Sequence, residues 1–227
     1  MGYSSPGRLL SRSLKWNEII HIHEKIQEIN MAVSEVKICN LALRKLGARL
    51  IESLSDSSQE AVTCNLFYEQ VRDAVLREHP WNFAAGRARL ARLAEDPVFG
   101  FSFQYQLPVD CLHLRQLVSP DDEFVVEGDK ILTNRDNASA VYTMKVVNPV
   151  LFDPSFIMAL SARLSAEMAD DITGSTTKAR EMWTLYLNAM QSARLADSAE
   201  GREDEILSDP WLEARGIHGA DSLVLRG

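Results

Sequence analysis

The chain has 227 residues, of which 46% are hydrophobic and 25% charged, an ordinary globular balance with room for one sizeable core and a small second lobe. Its net charge of −8 argues against a protein whose main task is gripping nucleic acid. An acidic wall does suit a channel in which DNA slides, because phosphates find few cations to pair with there. No apolar run approaches the roughly 20 residues that span a bilayer, so no membrane partner is expected.

Residues 1–30 differ from the rest and are set apart as an N-terminal extension. Gly2, Ser4, Ser5, Pro6 and Gly7 make a turn-rich start, followed by a short amphipathic stretch at Trp16, Ile19, Ile20 and Ile26. Trp16, Glu18, His21, His23 and Glu24 interrupt the apolar core that a secretory signal would need. Met31-Ala32-Val33-Ser34 reads as a second beginning, and starts at Met1 and at Met31 both stay open.

Residues 31–97 are expected to be the first helical segment. Val36, Cys39, Leu43 and Leu46 recur at helical spacing over about Glu35–Leu46, and Gly47 supplies a left-handed stop. The connector Arg49–Leu54 carries its own apolar residues. Ser57-Ser58-Gln59-Glu60 has capping-box spacing, and Ala61, Cys64, Phe67, Tyr68, Val71 and Val75 form one stripe, with Arg72, Asp73 and Glu78 assigned to the surface. Pro80 ends this helix near His79. Trp81-Asn82-Phe83-Ala84 follows, then a basic stretch, Arg87, Arg89 and Arg92, read as partly helical or extended.

Residues 98–150 change period and predict an antiparallel sheet insertion. Phe99, Phe101, Phe103 and Tyr105 alternate as in a strand, and His113–Val118 gives another. Phe124–Val126 and Ile131–Thr133 flank a Gly128 turn as a hairpin, and Ala140–Val147 completes the set.

Residues 151–198 predict the second helical segment. Asp153-Pro154 is an N-cap with proline at the first helical position, and Phe156, Ile157, Leu160, Leu164 and Met168 line one face. Gly174-Ser175 breaks the chain before a fourth helix with Met182, Leu185, Tyr186, Ala189 and Ala193 on its apolar side. The fold class is therefore α+β: a helical bundle of two helical hairpins, a small antiparallel sheet insertion and an extended C-terminal tail. Periodicity stops near Asp197, and residues 199–227 read as an acidic docking tail. Its Glu200, Glu203, Asp204, Glu205 and Asp209 surround the hydrophobes Ile206, Leu207, Trp211 and Leu212.

No phosphate-binding glycine loop, dinucleotide fingerprint or nucleophile elbow is present, so no enzyme activity and no cofactor are expected. His21 and His23 lack the companions of a zinc set. Asp121-Asp122-Glu123 and Asp170-Asp171 read as solvated loop charge, His79 as a helix-terminal cation and His113 as a packed strand residue. Cys39, Cys64 and Cys111 read as reduced thiols, the first two as buried small hydrophobes. Arg87, Arg89 and Arg92 have two readings: a solvated face, or a patch for an acidic partner or neighbouring subunit. With Leu90 and Leu93 they also suggest a DNA recognition helix, for which no scanning helix is evident.

Several segments in order carry a resemblance. They are Ile38-Cys39-Asn40-Leu41-Ala42-Leu43 with Leu46-Gly47, then Ile51–Ser58, then Ala61, Cys64, Tyr68, Arg72-Asp73 and Leu76, then Pro80-Trp81-Asn82-Phe83-Ala84. Over about Val33 to Ala94 the chain resembles the head-to-tail adaptors of tailed bacteriophages, the tail tubular protein A family. Beyond Ala94 the likeness rests on general layout, ending with Trp211–Gly216. The resemblance implies a structural protein of the virion neck, assembled in the host cytoplasm as a ring of twelve subunits under the portal. It also implies contact with a distal tail or nozzle protein and passage of genomic DNA through the ring without specific recognition. Portal docking would fall to the tail residues Ile206, Leu207, Trp211, Leu212 and Arg215. The alternative is a small DNA-binding or regulatory module using the Arg87–Arg92 run.

Overall fold

The computed structural model describes residues 33–119 and 121–200. They form an α+β fold of four long helices and two small antiparallel sheets. The expected extension 1–30 and nearly all of the expected tail lie outside the described residues. Among those described, no helix is long and apolar enough to cross a membrane.

Helix α1 spans Glu35–Leu46. Ser34 caps its start, accepting from the Lys37 amide, and the predicted stop at Gly47 ends it at φ 74°. Helix α2 spans Gln59–Arg77. Its cap is Ser58, whose Oγ accepts from Ala61 N at 3.3 Å, so the predicted Ser57–Glu60 box is out of register by one residue. Helix α3, Pro154–Thr173, begins at the expected Asp153 cap and stops at Gly174, φ 64°. Helix α4 spans Thr176–Glu200.

The bundle is organised around α3. Helices α1, α2 and α4 all lie against it, whereas α1 and α2 touch each other only marginally. This is why α3 alone is buried on nearly every side: Phe156, Leu160, Ala162, Leu164, Ala166 and Met168 all lie in the core. The small residues Ala159, Ala162 and Ala166 let the neighbours approach closely. Helix α4 buries Met182, Tyr186, Met190 and Ala193. Leu185, expected on that face, is exposed. Cys39 and Cys64 are fully buried, as predicted, and Cys64 Sγ lies 3.7 Å from Met168 Sδ. Its interaction with the Cys64 thiol, and then burial, push the Cys39 thiol well above its usual range. A water-soluble disulfide reagent at neutral pH is expected to modify Cys111, which is partly exposed, and to reach Cys39 and Cys64 only after denaturation. Thiol counting with and without denaturant checks this, and full reaction of all three in the native protein would contradict the packing.

The sheet region begins earlier than predicted and is divided in two. Strands β1 (Ala85–Arg89), β7 (Ser139–Met144) and β4 (Cys111–Leu117) form one sheet in the order β1-β7-β4. Strands β2 (Ala91–Arg92), β3 (Phe103–Gln106), β6 (Lys130–Thr133) and β5 (Phe124–Glu127) form the second, in the order β2-β3-β6-β5. The β5–β6 hairpin is the one the sequence predicts, with Gly128 at φ 61°. Phe99 is no strand residue: Gly100 at φ 86° turns the chain and leaves Phe99 83% exposed, so only Phe103–Gln106 is strand, and there Gln104 is buried beside Tyr105 against the expected alternation. Leu90, Tyr105, Leu114, Leu117, Ile131, Ala140 and Tyr142 form a separate small core in this region. Met144 packs against both cores and joins them.

Candidate assembly surface

The helical bundle and the first sheet meet where α2 ends. Trp81, fully buried, sits edge-on to His79 and Phe156 at centroid distances of 4.8 and 5.1 Å. Its indole N–H donates to Val75 O at 3.0 Å. That carbonyl lies in the last turn of α2 and would otherwise lack a helical partner, so Trp81 both fills the core and caps a helix. The next residue, Asn82, is held by α4. Its amide donates to Asp197 Oδ1 at 2.9 Å and its side-chain Nδ2 donates to Asp197 O at 2.7 Å. The other carboxylate oxygen of Asp197 lies 3.0 Å from His79 Nε2. Arg115 closes the joint from β4, donating to Trp81 O and to Thr143 Oγ1. Burial draws its guanidinium down, and the charge of Asp197 opposes that.

Asp197 is only 5% exposed, so the helical pattern does not stop there: it runs Tyr186, Met190, Ala193, Asp197, with a carboxylate as its last inward position. His79 correspondingly works as a partner of a buried carboxylate. His113 is exposed in β4, where a packed side chain was expected. Arg72, assigned to the surface, is fully buried in α2. Its Nε donates to Asp73 at 2.8 Å and its Nη2 lies 3.5 Å from Glu69, while Nη1 and Nη2 make no hydrogen bond.

The three arginines proposed as a patch are separated by the fold. Arg87 and Arg89 lie on β1, two residues apart, and both are exposed on the same face. The strand register aligns Arg87 with Val141 and Gln116, and Arg89 with Ser139, whose carbonyl bonds Val118 N at 2.9 Å. These two rows line a shallow trough of about 410 Å³ across the sheet. Arg92 belongs to the second sheet: its guanidinium lies 4.4 Å from the Phe103 ring centre and pairs with Asp96 at 3.1 Å. The recognition-helix reading of this run is overturned, because both pieces are strands and Leu90 between them is buried.

Asp122 of the predicted acidic loop pairs with Arg135 at 2.7 Å, which holds its carboxyl below the usual range. Among the described residues no three of His, Cys, Asp and Glu converge as a metal site would require. A second concavity, about 270 Å³, lies between α4 and the end of α2 and is lined by Glu78, Tyr186, Leu187, Met190, Arg194 and Leu195. Tyr186 Oη donates to Glu78, and burial and that carboxylate together raise its hydroxyl above the ordinary range. Arg163, stacked on Trp183 at 4.3 Å, pairs with the same carboxylate at 3.2 Å. These charges are mutually satisfied and hold the two helices together.

Apolar side chains stand exposed on several separate surfaces: Val62 and Leu66 on α2, Leu187 and Leu195 on α4, and Val98 and Phe99 in the β2–β3 loop. The tail residues Ile206, Leu207, Trp211, Leu212 and Arg215 lie outside the described residues. Comparison with protein-family models and with curated proteins returned no match to this chain.

Proposed function

We propose that this chain is a structural head-to-tail adaptor of a tailed bacteriophage, a ring subunit beneath the portal through which DNA passes and to which the distal tail attaches. The observation that carries the reading is the ordered run of adaptor-like residues between Val33 and Ala94. Those residues are also ones on which the fold depends. Asn40 clamps the connector through two bonds of 2.9 Å to the N–H and C=O of Ile51, Trp81 caps α2, and Asn82 ties the sheet to α4. A likeness concentrated on such positions is what a shared scaffold would leave.

The surface supports the same reading. A closed ring uses two different faces of each subunit. Exposed Val62 and Leu66 on one helix and Leu187 and Leu195 on another supply apolar area for two unlike contacts. Val98 and Phe99, 96% and 83% exposed, suit a contact with a further component. Docking to the portal is assigned to Ile206, Leu207, Trp211, Leu212 and Arg215, with Trp211 as the anchor because a lone aromatic in an acidic segment gains most from filling a pocket.

Negative-stain microscopy of the purified protein mixed with portal is the test, and rings stacked on portal are the expected result. Truncation after Ala199, which retains Asp197, is expected to weaken portal attachment while leaving the far-ultraviolet circular dichroism near that of the full chain. Persistent monomers that never join portal would sink the adaptor reading. Salt-dependent duplex binding that falls when Arg87 and Arg89 are replaced would favour the DNA-binding alternative.

A further inference from the structure

Strand β1 is an edge. Leu90 N bonds to Ala138 O, so the alternation of an antiparallel ladder makes Ala88 and Gly86 the residues that exchange bonds with β7. The N–H and C=O groups of Arg87 and Arg89 therefore point away from the sheet. Among the described residues nothing pairs with them. The same two residues carry exposed guanidinium groups, and no described carboxylate lies within ion-pair distance of either.

The end of α4 is fixed at the foot of this edge, because Asp197 holds Asn82 just before β1 begins. Three residues later comes Glu200, the last of the helix, and the sequence continues Gly201-Arg202-Glu203-Asp204-Glu205. Helical and extended rises place Glu203 and Glu205 at about 14 and about 21 Å of reach from Asp197. Counting along the chain from Asn82, Arg87 and Arg89 stand at about 14 and about 21 Å by the same rises. Glutamates two residues apart present their side chains on one side of an extended segment, as the two arginines do on β1.

We propose that the acidic segment following α4 lies along the open edge of β1 in its own chain, with Glu203 and Glu205 against Arg87 and Arg89. Backbone pairing would satisfy the outward groups of β1, and the four opposite charges would set the register. An edge strand left bare invites pairing with another molecule, and this segment covers it.

The test is amide hydrogen exchange on the full-length protein, read at Arg87 and Arg89, with Gly86 and Ala88 as internal references bonded to β7. Three proteins are compared: wild type, E203K/E205K, and the charge swap R87E/R89E/E203K/E205K. Exchange at Arg87 and Arg89 is expected to be about tenfold faster in E203K/E205K than in wild type, with the reference amides unchanged. The charge swap is expected to restore the slow rates. Equal rates at Arg87 and Arg89 in wild type and E203K/E205K would overturn the proposal. So would protection that rises with protein concentration, which makes a second copy the occupant. Protection that appears only on adding duplex DNA would assign the trough to phosphate instead.

Discussion

Replacing Trp81 with alanine is expected to destabilise the protein by about 4 kcal/mol, the largest effect of any single substitution considered. Two losses combine. The side chain is fully buried among His79, Phe83 and Phe156, so its removal leaves a large cavity that rigid helices on either side cannot close. The indole donor to Val75 O also disappears, which leaves a carbonyl of the α2 terminus without a partner in the core. Trp81→Phe separates the two, since it retains most of the packing and loses the bond. Its expected cost is about 1–2 kcal/mol. Urea denaturation of both variants checks the ratio. A W81F loss as large as that of W81A would mean that the bond, not the packing, dominates.

Asp197→Ala is expected to cost about 3 kcal/mol, because it removes the buried carboxylate that accepts from the Asn82 amide and meets the His79 imidazole. Asp197→Asn keeps an oxygen for the Asn82 amide and offers an N–H to the His79 ring, so its expected cost is nearer 1 kcal/mol. The tie also joins α4 to the entrance of β1. Hydrogen exchange at Asn82 in D197A should therefore accelerate more than exchange in the middle of α3. Against a typical total stability of about 5–15 kcal/mol, either alanine variant removes a substantial part of the margin. Denaturation midpoints that leave D197A and D197N indistinguishable would show that the carboxylate is solvated in practice.

Much of the helical architecture was legible because its signals are local. Gly47, the Asp153-Pro154 pair and Gly174 act on their own turn of chain, and each stands where the sequence places it. The division into two sheets was not legible. The partner of β1 is β7, more than fifty residues away, and nothing in Ala85–Arg89 itself distinguishes that partner from others. The two misplaced charges teach a different lesson. Arg72 follows Tyr68 by four residues and Asp197 follows Ala193 by four, so helical spacing already pointed both inward. Residue type overruled spacing in the sequence reading, and at these two positions spacing was the better guide. The basic run failed for a related reason: sequence proximity gathered Arg87, Arg89 and Arg92, while the buried Leu90 between them sends the chain from one sheet into the other.

The central position of α3 has a consequence for synthesis. Helices α1 and α2 have their apolar faces covered by a helix that the ribosome makes only after the entire strand region, and they give each other little cover in the meantime. Helices α1 and α2 must therefore wait, with Ile38, Leu43, Val71 and Leu76 unshielded, until Pro154–Thr173 has left the exit tunnel. A nascent chain halted near Asn148 should be digested readily by protease, and one halted well beyond Glu200 should resist it.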